Sequence, residues 1–208
     1  MKQFNLKNKA FDDLIADENG NLHTWNKDWI RISSQDEINA ISAAITSEGA
    51  IWLDETGQLK TSPPRPSLSH EWDNKSQTWR INPELAAQLK AEQQSQMWAR
   101  IKQKRHDNLR SGVYIQSVGK WLHNDDDSRA QYTFMRTMAT LPENMLWKTM
   151  DNRFIPMTRE LLDELSMQLL LDEQADFANA ERHRAAMLQA DNPLDYDYSS
   201  GWTATFQD

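Results

Sequence analysis

The segment Pro63–Trp79, PPRPSLSHEWDNKSQTW, constrains the fold most. Proline fixes its own φ, lacks an N–H and biases the preceding residue toward extended backbone, so Pro63, Pro64 and Pro66 interrupt both helix and sheet ladder. Two tryptophans and a turn-forming Asp73-Asn74 follow at once. The segment therefore reads as a junction between a β-rich N-terminal part and a long helical part, and as a recognition surface. At 208 residues the chain is long enough to bury a core. Mean hydropathy is low, at -0.81, yet nine tryptophans supply apolar faces that a solvated, unfolded chain would lack.

On the N-terminal side, short apolar clusters are broken by Asn19-Gly20, and LHTWNKDWIRI has the alternation of a strand pair. Ser34 and Glu37 form a capping-box pattern ahead of Ile38, Ile41 and Ile45, and Gly49 closes that short helix. AIWLDETGQLKTS predicts a hairpin turning at Glu55–Gly57, and HEWDNKSQTWRI a further one with Trp72 and Trp79 flanking the turn. Asn82-Pro83 supplies an N-cap and an N1 proline for a helix to about Ser111-Gly112. Its apolar residues Leu85, Leu89, Met97, Ile101 and Leu109 drift around the helix and hold no heptad seam.

Beyond it, VYIQSVGKWL predicts a hairpin turning near Gly119, and Ser128 is expected to cap a helix carrying Tyr132, Met135 and Met138 that Pro142 ends. MLWKTMDNRFIPM predicts a hairpin turning at Asp151-Asn152, and Thr158 caps a helix reaching Ala190. Leu161, Leu162, Leu165 and Leu169 are its first apolar stripe, continued by Phe177, Arg184 and Met187. The expected fold is α+β: a hairpin-rich region over 1–81, a connector helix over 82–112 and a ββαββα module over 113–208.

A net charge of -8 argues against nucleic acid as the main partner, because phosphate binding is driven by Lys/Arg patches. One basic run, Arg100, Lys102, Lys104, Arg105, His106 and Arg110, reads as a solvated helix face, with docking to an acidic surface as the alternative. With no cysteine there is no disulfide and no thiolate metal site. The start of the chain lacks the apolar run of a secretion signal, and no window approaches the roughly 18 apolar residues of a membrane span, so a cytosol is the expected compartment.

No motif of catalysis is visible. His123 with Asp125, Asp126 and Asp127 is the one cluster dense in possible ligands, but it lacks the alternating donors, glycine bend and distant Glu of a calcium loop. It reads instead as charge at a helix N-terminus. The five histidines are scattered, and His183, between Arg182 and Arg184, reads as a surface residue. Glycine-rich phosphate loops and a serine elbow are missing. No cofactor is expected; a metal-dependent hydrolase using His123 and Asp125–Asp127 is the remaining enzymatic reading. Most tryptophans are expected to pack in the core. Trp72, Trp79 and Trp98, with Pro64 and Pro66 holding an extended approach, are the expected partner-binding residues.

The pattern P-P-R-P-S-x-x-H-E-W-D followed by T-W resembles a segment of tail-fibre and tail-fibre assembly proteins of tailed bacteriophages and Mu-like prophages. MWARIKQKRHDNLRSGVYI, KWLHNDDDSRAQY, LWKTMDNRFIPMT and the closing SGW are similar to a domain of uncharacterised function that recurs in phage tail proteins, over about Trp98–Trp202. The resemblance implies a non-enzymatic assembly or attachment factor whose partner is a phage tail-fibre protein. It implies action in the host bacterial cytoplasm during assembly, or residence in the virion tail. The alternative is a structural component that self-associates, as a trimer matching a three-fold fibre, through the helix at 83–110 or at 158–190.

Overall fold

The computed structural model describes residues 1–207. The chain is α+β and divides into two compact units, Met1–Leu89 and the chain from Lys90 onward. The sequence reading set its boundaries at 81/82 and 112/113. The division falls instead inside the connector helix, because the later turns of that helix pack with the C-terminal elements.

In the first unit, β1 (Lys2–Asn5) is the central strand of an antiparallel sheet, between β2 (Ala10–Asp13) and β5 (Trp29–Arg31). A minor pair, β3 (Ile15–Ala16) and β4 (Leu22–His23), spans the Asn19-Gly20 turn. LHTWNKDWIRI is thus not a hairpin in itself: its two strands pair with different partners. The buried Gln3 side chain explains this. Its amide donates to the Asp13 carbonyl at 2.6 Å and its oxygen accepts the Trp25 N–H at 2.9 Å, which ties the loop to β1 and denies β4 a fold-back onto β5. Helix α1 (Gln35–Thr46) starts with the expected capping box, the Ser34 hydroxyl accepting from the Glu37 N–H at 3.1 Å and the Glu37 carboxylate from the Ser34 N–H at 3.3 Å. It lays Ile38, Ile41 and Ile45 on a core built around Phe4 and Ile32. Fully burying a side chain such as Phe4 or Ile41 stabilises by about 1.5–3 kcal/mol. Two hairpins follow, β6 (Ile51–Leu53) with β7 (Leu59–Thr61), and β8 (His70–Asp73) with β9 (Thr78–Ile81).

Helix α2 (Pro83–Asn108) begins on Asn82, whose side chain accepts from the Glu84 and Leu85 N–H groups at 2.9 and 3.2 Å. The second unit then runs β10 (Val113–Ile115), β11 (Lys120–Leu122), α3 (Asp126–Thr137), β12 (Leu146–Lys148), β13 (Phe154–Pro156) and α4 (Arg159–Gln189), ending in a 3-10 turn at Pro193–Asp195 and an extended strap. Both hairpins turn where the sequence predicts, and Thr158 caps α4. The α3 cap differs. Asp125 is the N-cap and accepts the Ser128 N–H at 2.9 Å, while the Ser128 hydroxyl donates back to it at 3.0 Å. A carboxylate there also answers the helix dipole, which a serine does not. The helix stops at Thr137, before Met138 and well before Pro142, where the Arg159 guanidinium takes the Met138 carbonyl at 2.6 Å.

The second unit has two cores. One joins Val113, Ile115, Leu122, Tyr132, Met135, Met157, Leu161, Leu162 and Leu165; the other joins Met97, Ile101, Ala180 and Met187, with Trp98, Tyr196, Tyr198 and Trp202 against it. None of the nine tryptophans is fully buried, contrary to the expectation of core packing. Trp98, Trp147 and Trp202 pack partly buried against the two cores of the second unit, whereas Trp25 is 54% exposed; on the hairpins, short two-stranded pairs leave no interior wide enough to enclose a whole ring.

Candidate functional site

Four of the five expected partner-binding residues, Pro64, Pro66, Trp72 and Trp79, belong to the first unit. Trp72 and Trp79 are directly opposite on β8 and β9, with ring centroids 5.4 Å apart, edge to face. Trp52 of β6 continues the stack, 5.1 Å from Trp72. The sequence reading missed Trp52 here, since contact between separate hairpins leaves no local pattern. Trp72 and Trp79 are half-buried, while Pro64 and Pro66 are exposed. The indole N–H of Trp79 donates to the Pro63 carbonyl at 3.0 Å, fixing the proline segment to the hairpin. Trp72 Nε1 is buried without a partner among the described residues, which costs about 1–3 kcal/mol.

Arg65 organises the loop between them. Its guanidinium donates to the His70 carbonyl at 2.9 Å and the Leu68 carbonyl at 2.6 Å, and reaches Glu48 at 3.3 Å. A loop wrapped on its own arginine has little conformational freedom, and Leu68 and Ile81 stand exposed beside it. Next to the stack lies an open groove of about 470 Å³ lined by Glu71, Trp72, Asp73, Arg80, Asn82 and Glu84 among others. Backbone donation from Lys75, then the Ser76 hydroxyl, holds the Asp73 carboxyl below its ordinary range. On the β6–β7 turn the Thr56 hydroxyl and the Gln58 N–H lower Asp54 from 3.8 to about 2.

Trp98, the fifth expected residue, belongs to the second unit. It packs against the core of Met97, Ile101, Ala180 and Met187, with Arg184 5.0 Å and Lys102 5.8 Å from its ring centroid. The basic run of α2 is partly taken up in the same way: Arg105 stands over Phe177 at 5.2 Å and Arg110 meets Asp126 at 2.7 Å. The His123–Asp127 cluster disperses, with Asp125 capping α3 and Asp126 paired to Arg110. Among the described residues no three acidic or imidazole side chains are grouped to hold a metal ion.

The second unit hides a polar cluster, of which the sequence pattern singles out only His183, as a surface residue. His183 is 5% exposed and not a surface residue. Its Nε2 faces the Ser200 carbonyl at 2.8 Å and its Nδ1 the Tyr196 hydroxyl at 2.9 Å, with the Trp202 ring stacked 5.7 Å away. A carbonyl only accepts, so Nε2 carries the hydrogen, and in the neutral ring Nδ1 accepts from Tyr196. One turn back along α4, the Asn179 side chain donates to the same Ser200 carbonyl at 3.0 Å. Deeper still, the buried Asp176 accepts the Asn108 amide at 2.7 Å and the Thr203 N–H and hydroxyl at 2.8 and 3.0 Å. The buried face of α4 therefore continues from Leu165 through Asp176, Asn179 and His183 to Met187, while Phe177 and Arg184, expected in that stripe, lie outside it, Phe177 under the Arg105 guanidinium and Arg184 over the Trp98 ring. Gly201, at φ +79°, lies so close that an added Cβ would come within 2.6 Å of Arg182 and Asn179. Every polar atom of this cluster that is described here is engaged by the chain itself, so the arrangement clasps the strap onto α2 and α4.

No curated protein and no solved structure matches the chain. Residues 92–200, more than half of the chain and most of the second unit, match the model of a family described as "Domain of unknown function (DUF4376)", and the chain belongs to that family.

Proposed function

We propose that this protein is a non-enzymatic assembly factor that acts by protein–protein contact through the proline–tryptophan face of its first unit, and that its partner is a phage tail-fibre protein. The observation that carries the reading is the Trp52–Trp72–Trp79 stack with exposed Pro64 and Pro66 held to it by the Trp79–Pro63 bond. Half-exposed, rigid indoles beside extended prolines give contact area at small entropic cost, which is the make-up of a binding hot spot. The resemblance of P-P-R-P-S-x-x-H-E-W-D to tail-fibre assembly proteins supplies the identity of the partner. Assembly in the bacterial cytoplasm follows from that role, with the virion tail as the place where a retained copy would remain.

The test is direct binding of the purified chain to a purified phage tail-fibre protein, by calorimetry or pull-down. Trp72→Ala with Trp79→Ala is expected to weaken binding about 30-fold or more. Pro64→Ala with Leu68→Glu alters only exposed side chains and is expected to weaken it about tenfold with the fold unchanged. Undiminished binding by either variant, each verified as folded by circular dichroism, refutes the reading.

A further inference from the structure

Helix α4 carries a second apolar stripe on the side away from the cores. Met167, Leu170, Leu171 and Phe177 are 58%, 51%, 51% and 54% exposed, Gln174 is exposed between Leu171 and Phe177, and Ala178 is exposed just after Phe177. At about 100° per residue all six fall within about 60° of the direction opposite Leu165 and His183, which point inward. Single exposed apolar residues are ordinary on a protein surface; a contiguous row along one helix marks an interaction site.

We propose that this stripe is where two copies of the chain meet, α4 against α4 in antiparallel sense, about a two-fold axis between residues 173 and 174. Charge selects both the occupant and its direction. Asp163 and Glu164 lie at one end of the stripe, Arg182 and Arg184 at the other. With Leu170 opposite Phe177 of the other copy, Asp163 falls opposite Arg184 and Glu164 within one residue of Arg182, and the symmetry repeats both pairs. Parallel helices in register would set acid against acid and arginine against arginine, which is repulsive. A three-fold assembly through this helix needs parallel copies and is disfavoured for the same reason. Within its own copy Asp163 touches Arg136 and Arg184 touches Glu181, both at 3.4 Å, Arg184 also stands over Trp98, Glu164 accepts the Ser117 N–H at 3.2 Å and Arg182 donates to Asn179. Asp163 and Arg184 remain about half exposed and are the pair open to a second partner. This surface is distinct from the proline–tryptophan face and does not depend on it.

Sedimentation equilibrium of the full chain tests the proposal, with a dimer expected at about 100 µM. Leu171→Glu and Arg184→Glu are each expected to raise the dissociation constant about tenfold or more, and adding Asp163→Lys to Arg184→Glu to recover at least half of that loss. Since the chain has no cysteine, direction is read by mixing an Asp163→Cys chain with an Arg184→Cys chain, which is expected to give an oxidised cross-link that Asp163→Cys alone does not. A monomer at that concentration, a trimer, or self-cross-linking of Asp163→Cys overturns the proposal. Circular dichroism identical to the parent's confirms that the variants are folded, and Leu171→Glu, at an exposed position, leaves the Arg184–Trp98 contact untouched.

Discussion

The two units solve opposite problems with similar parts. The first has a small core around Phe4, Ile32 and Ile41 and leaves three indoles stacked at its surface. The second has two cores and buries hydrogen-bonding side chains, Asp176, Asn179 and His183, to hold an extended strap. The difference teaches where specificity resides. Aromatic rings at a surface are available to another chain, whereas buried polar groups are saturated from within and fix one tertiary arrangement, since an unmade bond there is costly.

The comparison is broken most forcefully at the first core. Phe4→Ala removes its central ring, and a loss of about 3–5 kcal/mol is expected by urea unfolding, large against the stability of so small a core. Amide exchange should show the loss in residues 1–89 while Leu162 and Ile101 keep their protection. Asp176→Ala is the counterpart in the second unit. It strands the buried Asn108 amide and the Thr203 donors, so about 2–3 kcal/mol should be lost, with Trp202 fluorescence reporting release of the strap. Asp176→Leu is a sharper version: if the clasp were only a volume filler, leucine would rescue it.

Smaller effects refine the contrast. Ser34→Ala removes a local cap, for a loss of about 1 kcal/mol and no change in the second unit. Acid acts on both units through turn carboxylates. Asp54 in the first and Asp151 in the second are lowered from 3.8 to about 2, the latter chiefly by Lys120 at 2.6 Å and by the Thr149 hydroxyl. Their folded values lie below their unfolded ones, so the folded state binds fewer protons. The stability they contribute is complete above about pH 4 and is lost as pH falls toward 2. Carboxyl chemical shifts should titrate near 2 at both residues, and Thr56→Val should move only Asp54 upward.

Much of the local architecture was legible in the residues alone. The capping box at Ser34 and Glu37, the Asn82-Pro83 start of α2, the Thr158 cap and the hairpins at Trp72–Trp79, Val113–Leu122 and Leu146–Pro156 all form as the pattern predicts. Each depends on groups within a few positions of one another, so short-range sterics and hydrogen bonding decide it. The candidate site was legible in part. Trp72 and Trp79 were visible as a facing pair, but Arg65 as organiser of the loop and Trp52 as third ring were not, because their contacts cross between elements.

The amino-acid order by itself determined the succession of strands and helices, their caps and their turns, through interactions that close within a turn or a hairpin. Tertiary structure alone decided that Leu22–His23 and Trp29–Arg31 pair with different strands, that Gln3 lies inside, and that α4 turns Asp176 and His183 inward and Phe177 outward. The physical reason is that a polar side chain reads as surface until its distant partners are known. Asn108, Tyr196, Ser200 and Thr203 supply the missing bonds, and only the folded chain brings them within reach of α4.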